Sequence, residues 1–147
     1  MSDAVSGSGS KVYVEENLPA THDAAGFEAL TWVLVKEVTT IGEYGRDYEE
    51  ITHNPIDTRI TERIKGNYSE GGLPVSFASV PADAGQVLML AASESDDDYS
   101  FKIERTDGAI DYNIGKVFSF KPSVDSGAIL AVSCQVNFNG LRVRTIT

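Results

Sequence analysis

Residues 128–138 read AILAVSCQVNF, and every even-numbered position of this stretch is apolar. Side chains alternate between the two faces of a β-strand, so this period of two predicts a strand with one buried face. Asn139-Gly140 follows, which is the dipeptide that best tolerates a type I′ turn, and the alternation then resumes over residues 141–144. The sequence therefore predicts that the chain ends in a long β-hairpin, and nothing in this hairpin resembles a catalytic site.

Length and charge narrow the class of protein. The 147 residues suit one domain, and 22 acidic against 12 basic residues give a net charge of −10. A net negative charge of this size argues against a protein that binds the phosphates of nucleic acids. Cys134 is the single cysteine, and its place on the apolar face of a strand is typical of a small buried hydrophobe. Without a signal peptide or a long apolar run, we expect a soluble intracellular product.

Residues 1–10 (MSDAVSGSGS) are small and polar, and we expect a flexible N-terminal arm ahead of a single β domain over residues 11–147. Residues 11–15 alternate as a short strand, and residues 17–26 are typical of a loop. Residues 29–38 (ALTWVLVKEV) are nearly continuous in hydrophobicity, which predicts a strand covered on both faces.

A polar, glycine-punctuated excursion follows over residues 39–57. Connections longer than about 12 to 15 residues are uncommon within a domain and tend to be functional, so we expect this one to contact something outside the domain. Residues 58–65 (TRITERIK) predict a returning strand, which together with residues 29–38 would flank the excursion as an extended hairpin. Residues 66–72 predict a turn before another strand over residues 73–78.

One stretch carries a helical period, since Ala84, Val87, Leu88 and Ala91 recur at helical spacing. This predicts a short structural helix from Pro81 to about Ser93, capped by Ser79 or a neighbour. An acidic loop over residues 96–98 and a β-meander over residues 99–120 follow. The predicted fold class is mainly β, with two packed antiparallel sheets, as a sandwich or half-barrel, and one flanking α-helix.

The sequence contains few groups that could take part in catalysis or bind a metal ion. His22 and His53 lie far apart in loops, and no cysteine or histidine spacing suits zinc. The run Asp96-Asp97-Asp98 lacks the alternate oxygens of a calcium loop, and the neighbours Glu49 and Glu50 are typical of solvated surface acids. We therefore predict no catalytic residue, no cofactor and no metal, and a protein that is not an enzyme.

The order of these features resembles the major tail tube proteins of lambda-like, long, non-contractile-tailed bacteriophages. The resemblance covers nearly the whole chain after residue 10. It is carried by residues 30–38 (LTWVLVKEV) running into 39–43 (TTIGE), residues 64–66 (IKG), the helix at 81–93, and residues 108–121 (GAIDYNIGKVFSFK) before the terminal strands.

The resemblance implies a hexameric ring in which strands of all subunits close into a ring-shaped β-barrel, with rings stacked into a tube. It also implies that the loop from Glu43 to Asp57 makes the stacking contact between rings, through Glu43, Tyr44, Arg46, Asp47, Tyr48, His53 and Asp57. A negatively charged channel would let DNA slide without being held. Glu37, Glu49 and Glu62 are the predicted lumen-lining residues.

The resemblance further implies binding partners and a location for the protein. The partners are other copies of the chain, the tape measure protein, and tail-tip and terminator proteins, with transient passage of DNA and no membrane. The place is the virion tail, assembled in the host cytoplasm. Some lambda-type relatives carry an additional C-terminal domain, and we expect this chain to lack that decoration.

Two alternatives stay open from the sequence. One is a tube protein of a contractile injection or secretion system, which shares the fold and the ring. The other is a monomeric β-sandwich binding module, for which Tyr44, Tyr48 and Tyr68 would supply exposed loop aromatics.

Overall fold

Strands dominate the structure, a computed structural model that describes residues 5–146. The strands are β1 (Lys11–Glu15), β2 (Val33–Leu34), β3 (Val38–Thr40), β4 (Asp47–His53), β5 (Glu62–Ser69), β6 (Gly72–Ala78), β7 (Tyr99–Glu104), β8 (Ala109–Ser123), β9 (Ala131–Phe138) and β10 (Val143–Ile146). The helices are α1 (Ala24–Glu28) and α2 (Ala84–Glu94).

Eight of the strands form one curled antiparallel sheet, a half-barrel, which we call the main sheet. Its order is β2-β1-β7-β8-β9-β6-β3, with β10 paired to β8. The other two strands, β4 and β5, pair only with each other. The prediction of a mainly β half-barrel with a flanking helix is confirmed. Closure into a ring-shaped barrel on hexamerisation stays a prediction.

The core lies between the main sheet and α2. It includes fully buried side chains from four elements, namely Val12 of β1, Phe77 of β6, Met89 of α2 and Phe101 of β7. Along β9 the alternate residues Val132, Cys134, Val136 and Phe138 are buried, as their period predicts. Burial also raises the pKa of the Cys134 thiol to about 12, so the thiol stays protonated at neutral pH.

The prediction of a terminal hairpin is wrong. Strand β10 pairs with β8 and not with β9, and both run antiparallel to β8 along the same edge. Neither Asn139 nor Gly140 has the positive φ that a type I′ turn needs. Instead the Asn139 backbone N–H donates to the Ile114 carbonyl of β8 at 2.9 Å. The chain therefore continues in line, because the long β8 offers hydrogen-bonding partners to both segments.

The predicted continuous strand over residues 29–38 is also interrupted. Only Val33–Leu34 and Val38–Thr40 are strands, and they lie at opposite edges of the main sheet. Glu37, between them, has a φ of 62°, a left-handed conformation that is rare outside glycine. A β-carbon on Gly85 would lie 2.2 Å from the Leu34 carbonyl oxygen, so α2 packs directly onto this segment. Tertiary packing outweighs the local strand propensity here.

The helices differ from expectation at their starts. Helix α2 begins at Ala84, and Asp83 caps it by accepting from the Gln86 backbone N–H, so Pro81 lies outside the helix. Residues 17–26, predicted as loop, contain the start of the short helix α1. Asp23 caps α1 by accepting from the Gly26 backbone N–H at 2.7 Å. In the sequence, Asp23 was the available signal for the start of α1.

The predicted arm, residues 1–10, lies partly outside the described residues. Within the described part, the Thr106 hydroxyl donates to the Ser6 carbonyl at 2.5 Å, which holds this segment against the β7–β8 turn. None of the helices among residues 5–146 has the length and apolar character to cross a membrane.

Candidate assembly interface

Strands β4 and β5 form a hairpin that we call the ribbon, residues 47–69. The sequence predicted a loop over residues 39–57 and a strand over 58–65. The strands instead cover Asp47–His53 and Glu62–Ser69. Every residue of β4 is exposed, and so is every residue of β5 except Gly66. The ribbon therefore buries neither face within this chain.

The register of the ribbon decides which side chains share a face. Tyr48 pairs with Tyr68 and Glu50 with Lys65, so Gly66 and Asn67 together oppose the single residue between Tyr48 and Glu50. This bulge in β5 shifts the alternation of that strand by one residue. Residues 48, 50 and 52 consequently share a face with residues 63, 65 and 68.

We call this side the basic face. The Lys65 ammonium lies 4.4 Å from the centre of the Tyr48 ring, and Arg63 Nε lies 2.6 Å from Glu50 Oε1. Arg46, which precedes β4, places its guanidinium carbon 4.3 Å from the centre of the Tyr68 ring. The two tyrosine rings are 5.3 Å apart. The face thus combines three cations and one carboxylate with two aromatic rings.

The opposite side we call the acidic face. Ile51 pairs with Ile64 at its centre, and a β-carbon on Gly66 would lie 3.0 Å from Ile51 Cδ1, which places Gly66 on the same side. The charged and titratable residues of this face are Asp47, Glu49, His53 and Glu62. It carries three carboxylates and neither lysine nor arginine, so the two faces of one hairpin have opposite charge.

Glu70 fixes the base of the ribbon. Its carboxylate is buried and accepts from Arg46 Nε at 2.5 Å and from the Arg142 backbone N–H at 3.2 Å. Hydrogen bonds to Tyr48 and Glu70 raise the pKa of the Arg46 guanidinium. The residue that enters the ribbon and the residue that leaves it are therefore joined by an ion pair.

A second buried carboxylate, Asp111 of β8, lies beside this base. It is 2% exposed and accepts from Arg144 Nε at 2.6 Å and from the Tyr44 hydroxyl. Arg105 Nη1 approaches it to 3.6 Å and Arg142 Nε to 4.0 Å. Burial, followed by the hydrogen bond to Asp111, raises the pKa of Tyr44 to about 12. This carboxylate thus links the segment before the ribbon to β10.

The residues predicted to make the stacking contact between rings lie in different parts of the structure. Arg46 and Tyr48 belong to the basic face, Asp47 and His53 belong to the acidic face, and Tyr44 is partly buried against Asp111. The remaining two, Glu43 before β4 and Asp57 in the loop at the ribbon's end, are exposed. Their role in stacking stays a prediction.

The residues predicted to line the lumen also lie in different parts of the structure. Glu49 and Glu62 share the acidic face, whereas Glu37 lies outside the ribbon, between β2 and β3. Their role in lining a channel stays a prediction.

Sequence reasoning missed the residues that hold the ribbon in place. Glu70 and Asp111 are both buried carboxylates. Their partners include Arg105 in the β7–β8 turn, Arg142 just before β10 and Arg144 in β10. The available signal was Asp111, the one ionisable carboxylate of the mostly apolar stretch AIDYNI, because a buried acid needs a partner. Among the described residues, no group of His, Cys, Asp and Glu side chains suits a metal ion.

Comparison with solved structures identifies this fold with that of tail tube proteins. The SPP1 tail tube superposes with a TM-score of 0.70 at 16% identity, covering 98% of this chain and 80% of that one. A chain of the anti-feeding prophage baseplate, 6-fold symmetrised, gives 0.71 at 11% identity, covering 99% and 97%. A chain in the structure of the PVC sheath/tube terminator in the extended state, from an extracellular contractile injection system, gives 0.61 at 10% identity, covering 97% and 96%.

No protein-family model matches the chain, and no curated protein is similar to it in sequence. The resemblance to tail tube proteins is nevertheless confirmed by these structures. At such low identities the likeness shows the fold alone.

Proposed function

We propose that this chain is a structural tube subunit of a phage tail. The observation that carries the proposal is that almost the whole chain superposes on the SPP1 tail tube. Copies would associate into rings, and rings would stack into a tube with a central channel for DNA. Six subunits per ring is the number we propose, supported by the 6-fold symmetry of the anti-feeding prophage baseplate. No catalytic step is part of this role.

In this proposal the ribbon and the residues before it contact other copies. An isolated two-stranded ribbon is at best marginally stable in water, so a ribbon with both faces exposed is suited to burial by a partner. The segment from Glu43 to Asp57 would make the stacking contact between rings, which the exposure of most of its side chains supports, while Tyr44 is held against Asp111. The net charge of −10 suits a channel that repels DNA phosphates.

Other partners in the proposal are the tape measure protein and the proteins at either end of the tube. The likeness to chains found in a baseplate structure and in a sheath/tube terminator structure supports such end contacts. The place of function would be the virion, after assembly in the host cytoplasm.

A second candidate is the tube of a contractile injection system. The share of the matched chain that is covered favours this second candidate, because this chain spans 97% of the anti-feeding prophage chain but only 80% of the SPP1 chain. A tail that carries a capsid and DNA, in the particle from which the protein is isolated, would support the phage role. A contractile sheath around the tube would support the second candidate.

Negative-stain electron microscopy and sedimentation velocity test the tube function. The protein is incubated alone, and then with the tail-tip and tape measure proteins as initiator. We expect rings or tubes with a central pore, at least in the presence of the initiator. A protein that stays monomeric with the complete initiator would refute the tube function and favour the monomeric binding module.

A further inference from the structure

Helix α2 carries an apolar stripe on the side that faces away from its own core. Before Glu94, which ends the helix, the exposed residues are all apolar, namely Ala84, Val87, Leu90 and Ala91. Val87 is 51% exposed and Leu90 is 42% exposed. The outward side of a surface helix is usually polar, with the apolar stripe turned to the core. This outward side is therefore suited to burial by a partner.

The C-terminal end of α2 is acidic. Glu94 ends the helix, and Asp96 and Asp97 follow in an exposed loop. The helix dipole adds partial negative charge at the same end. Asp98 differs from these three, because its carboxylate accepts from Lys116 Nζ at 2.7 Å within the chain. We call the apolar stripe and the three exposed carboxylates together the helix surface.

The basic face of the ribbon complements the helix surface in both respects. Its two tyrosines, Tyr48 and Tyr68, are 42% and 48% exposed and provide apolar surface. The three cations of this face lie around the two rings and outnumber its single carboxylate, in a chain with a net charge of −10. By the rise per residue of each element, the 11 residues of α2 span about 16 Å and the seven of β4 about 23 Å, so the helix fits along the ribbon.

The proposed tube decides which face of the ribbon is available to a neighbour. Strands that join edge to edge around a ring form a wall with an inner and an outer surface. Cations on the inner surface would hold the phosphates of DNA, whereas the acidic face with Glu49 and Glu62 repels them. The acidic face therefore suits the inside. The basic face is then on the outside, where the ribbon's own chain does not cover it.

We propose that the basic face of the ribbon in one copy packs on the helix surface of the next copy. The apolar stripe of α2 then lies against the two tyrosine rings. Glu94 is one turn beyond Leu90, so its carboxylate reaches the cations around these rings. The helix lies outside the wall of the channel, which leaves the bore open and the strand edges free to pair around the ring. This inference rests on the proposed tube function.

Charge reversal on either side tests the contact. E94K/D96K reverses the charge of the helix surface, and R63E/K65E reverses that of the basic face. In each variant the two surfaces carry like charges, so we expect association to be roughly 100-fold weaker than in the natural chain. A combined variant with all four substitutions has opposite charges again and keeps the natural net charge of −10. We expect this combined variant to associate as the natural chain does.

The matched control lies on the other face of the ribbon. E49K/E62K makes the same change in net charge as E94K/D96K, but in the proposed arrangement these two side chains face the channel. We therefore expect the control to assemble as the natural chain does. Thermal melts check that all variants fold.

Association is measured by sedimentation velocity, and the assemblies are imaged by electron microscopy, with the tail-tip and tape measure proteins as initiator. The natural assemblies are also treated with a carbodiimide, which joins an amine to a carboxylate in direct contact. An equal mixture of isotopically labelled and unlabelled chains distinguishes links between copies from links within one copy. We expect a mixed-isotope link from Lys65 to Glu94 or Asp96.

Normal tubes from E94K/D96K alone would overturn the inference with the tube function intact. So would a combined variant that stays dissociated while the natural chain forms tubes. Loss of tubes in E49K/E62K would overturn it too, because the acidic face would then make the contact. If the natural chain forms no tube with initiator, the tube function fails. The ribbon contact is then decided by the carbodiimide link in concentrated protein, since its presence supports the contact and its absence overturns it.

Discussion

The main sheet and the ribbon are built from the same kind of strand, yet they use their side chains differently. Strand β9 alternates between buried and partly exposed residues, and its buried side chains pack into the core beneath α2. Strand β4 exposes every residue and packs on no core. The main sheet packs on a buried core, whereas the ribbon is anchored within this chain by the ion pair between Arg46 and Glu70 at its base.

Replacing Phe77 with alanine should break the main sheet and give the largest effect. The side chain is fully buried, so Phe77→Ala should lower the free energy of unfolding by about 4 kcal/mol. Urea denaturation followed by circular dichroism measures this. Ile64→Ala in the exposed ribbon is the comparison and should change stability by less than about 0.5 kcal/mol. Equal losses in both variants would contradict the distinction between the two regions.

Replacing Asp111 with asparagine tests the connection between the two regions. The substitution leaves Arg105 and Arg144 facing a neutral side chain, so we expect a loss of about 3 kcal/mol. Hydrogen exchange should also become faster in the ribbon, because Tyr44 loses its carboxylate partner. Asp125→Asn, an exposed carboxylate, is the control. Unchanged exchange in residues 47–69 would show that Asp111 does not hold the ribbon.

The hydroxyl of Tyr44 should add a pH dependence. Its pKa is raised from 10.0 to about 12 in the folded chain, so the unfolded chain releases this proton first as pH rises. Stability is therefore lost between pH 10.0 and about 12, and we expect the contribution of this group to be about 2 kcal/mol. Tyr44→Phe cannot titrate and should lose less stability over this window. Parallel unfolding curves of the two proteins against pH would refute the assignment.

The smallest expected effect lies between β2 and β3. Glu37 has a φ of 62°, which costs a residue with a β-carbon roughly 1 kcal/mol. Glu37→Gly should therefore raise the free energy of unfolding by about 0.5 kcal/mol after the greater backbone entropy of glycine is counted. Glu37→Ala is the matched control and should bring no gain, since it keeps the β-carbon. A loss of stability in the glycine variant would mean that the carboxylate makes a stabilising contact.

The sequence by itself determined the apolar face of β9, the strand pattern of β7 and the existence of α2. Each of these follows from a hydrophobic period that one element imposes locally. The polar composition of residues 39–57 predicted a segment that contacts something outside the domain, and this stays a prediction. Residues 47–53 are exposed, whereas Ile41 and Tyr44 pack against the core. Local reasoning could not find the pairing of β4 with β5, since two strands that bury neither face leave no hydrophobic period.

Only the tertiary structure decided the course of the chain end and the organisation of the ribbon. Asn139-Gly140 favours a turn in isolation, but β8 is long enough to pair with both β9 and β10, and the chain bends at Gly140 without reversing. The bulge at Gly66 and Asn67 then sets which charges share a face. Register and ion pairs between distant residues are properties of assembled strands, and no single segment of the sequence specifies them.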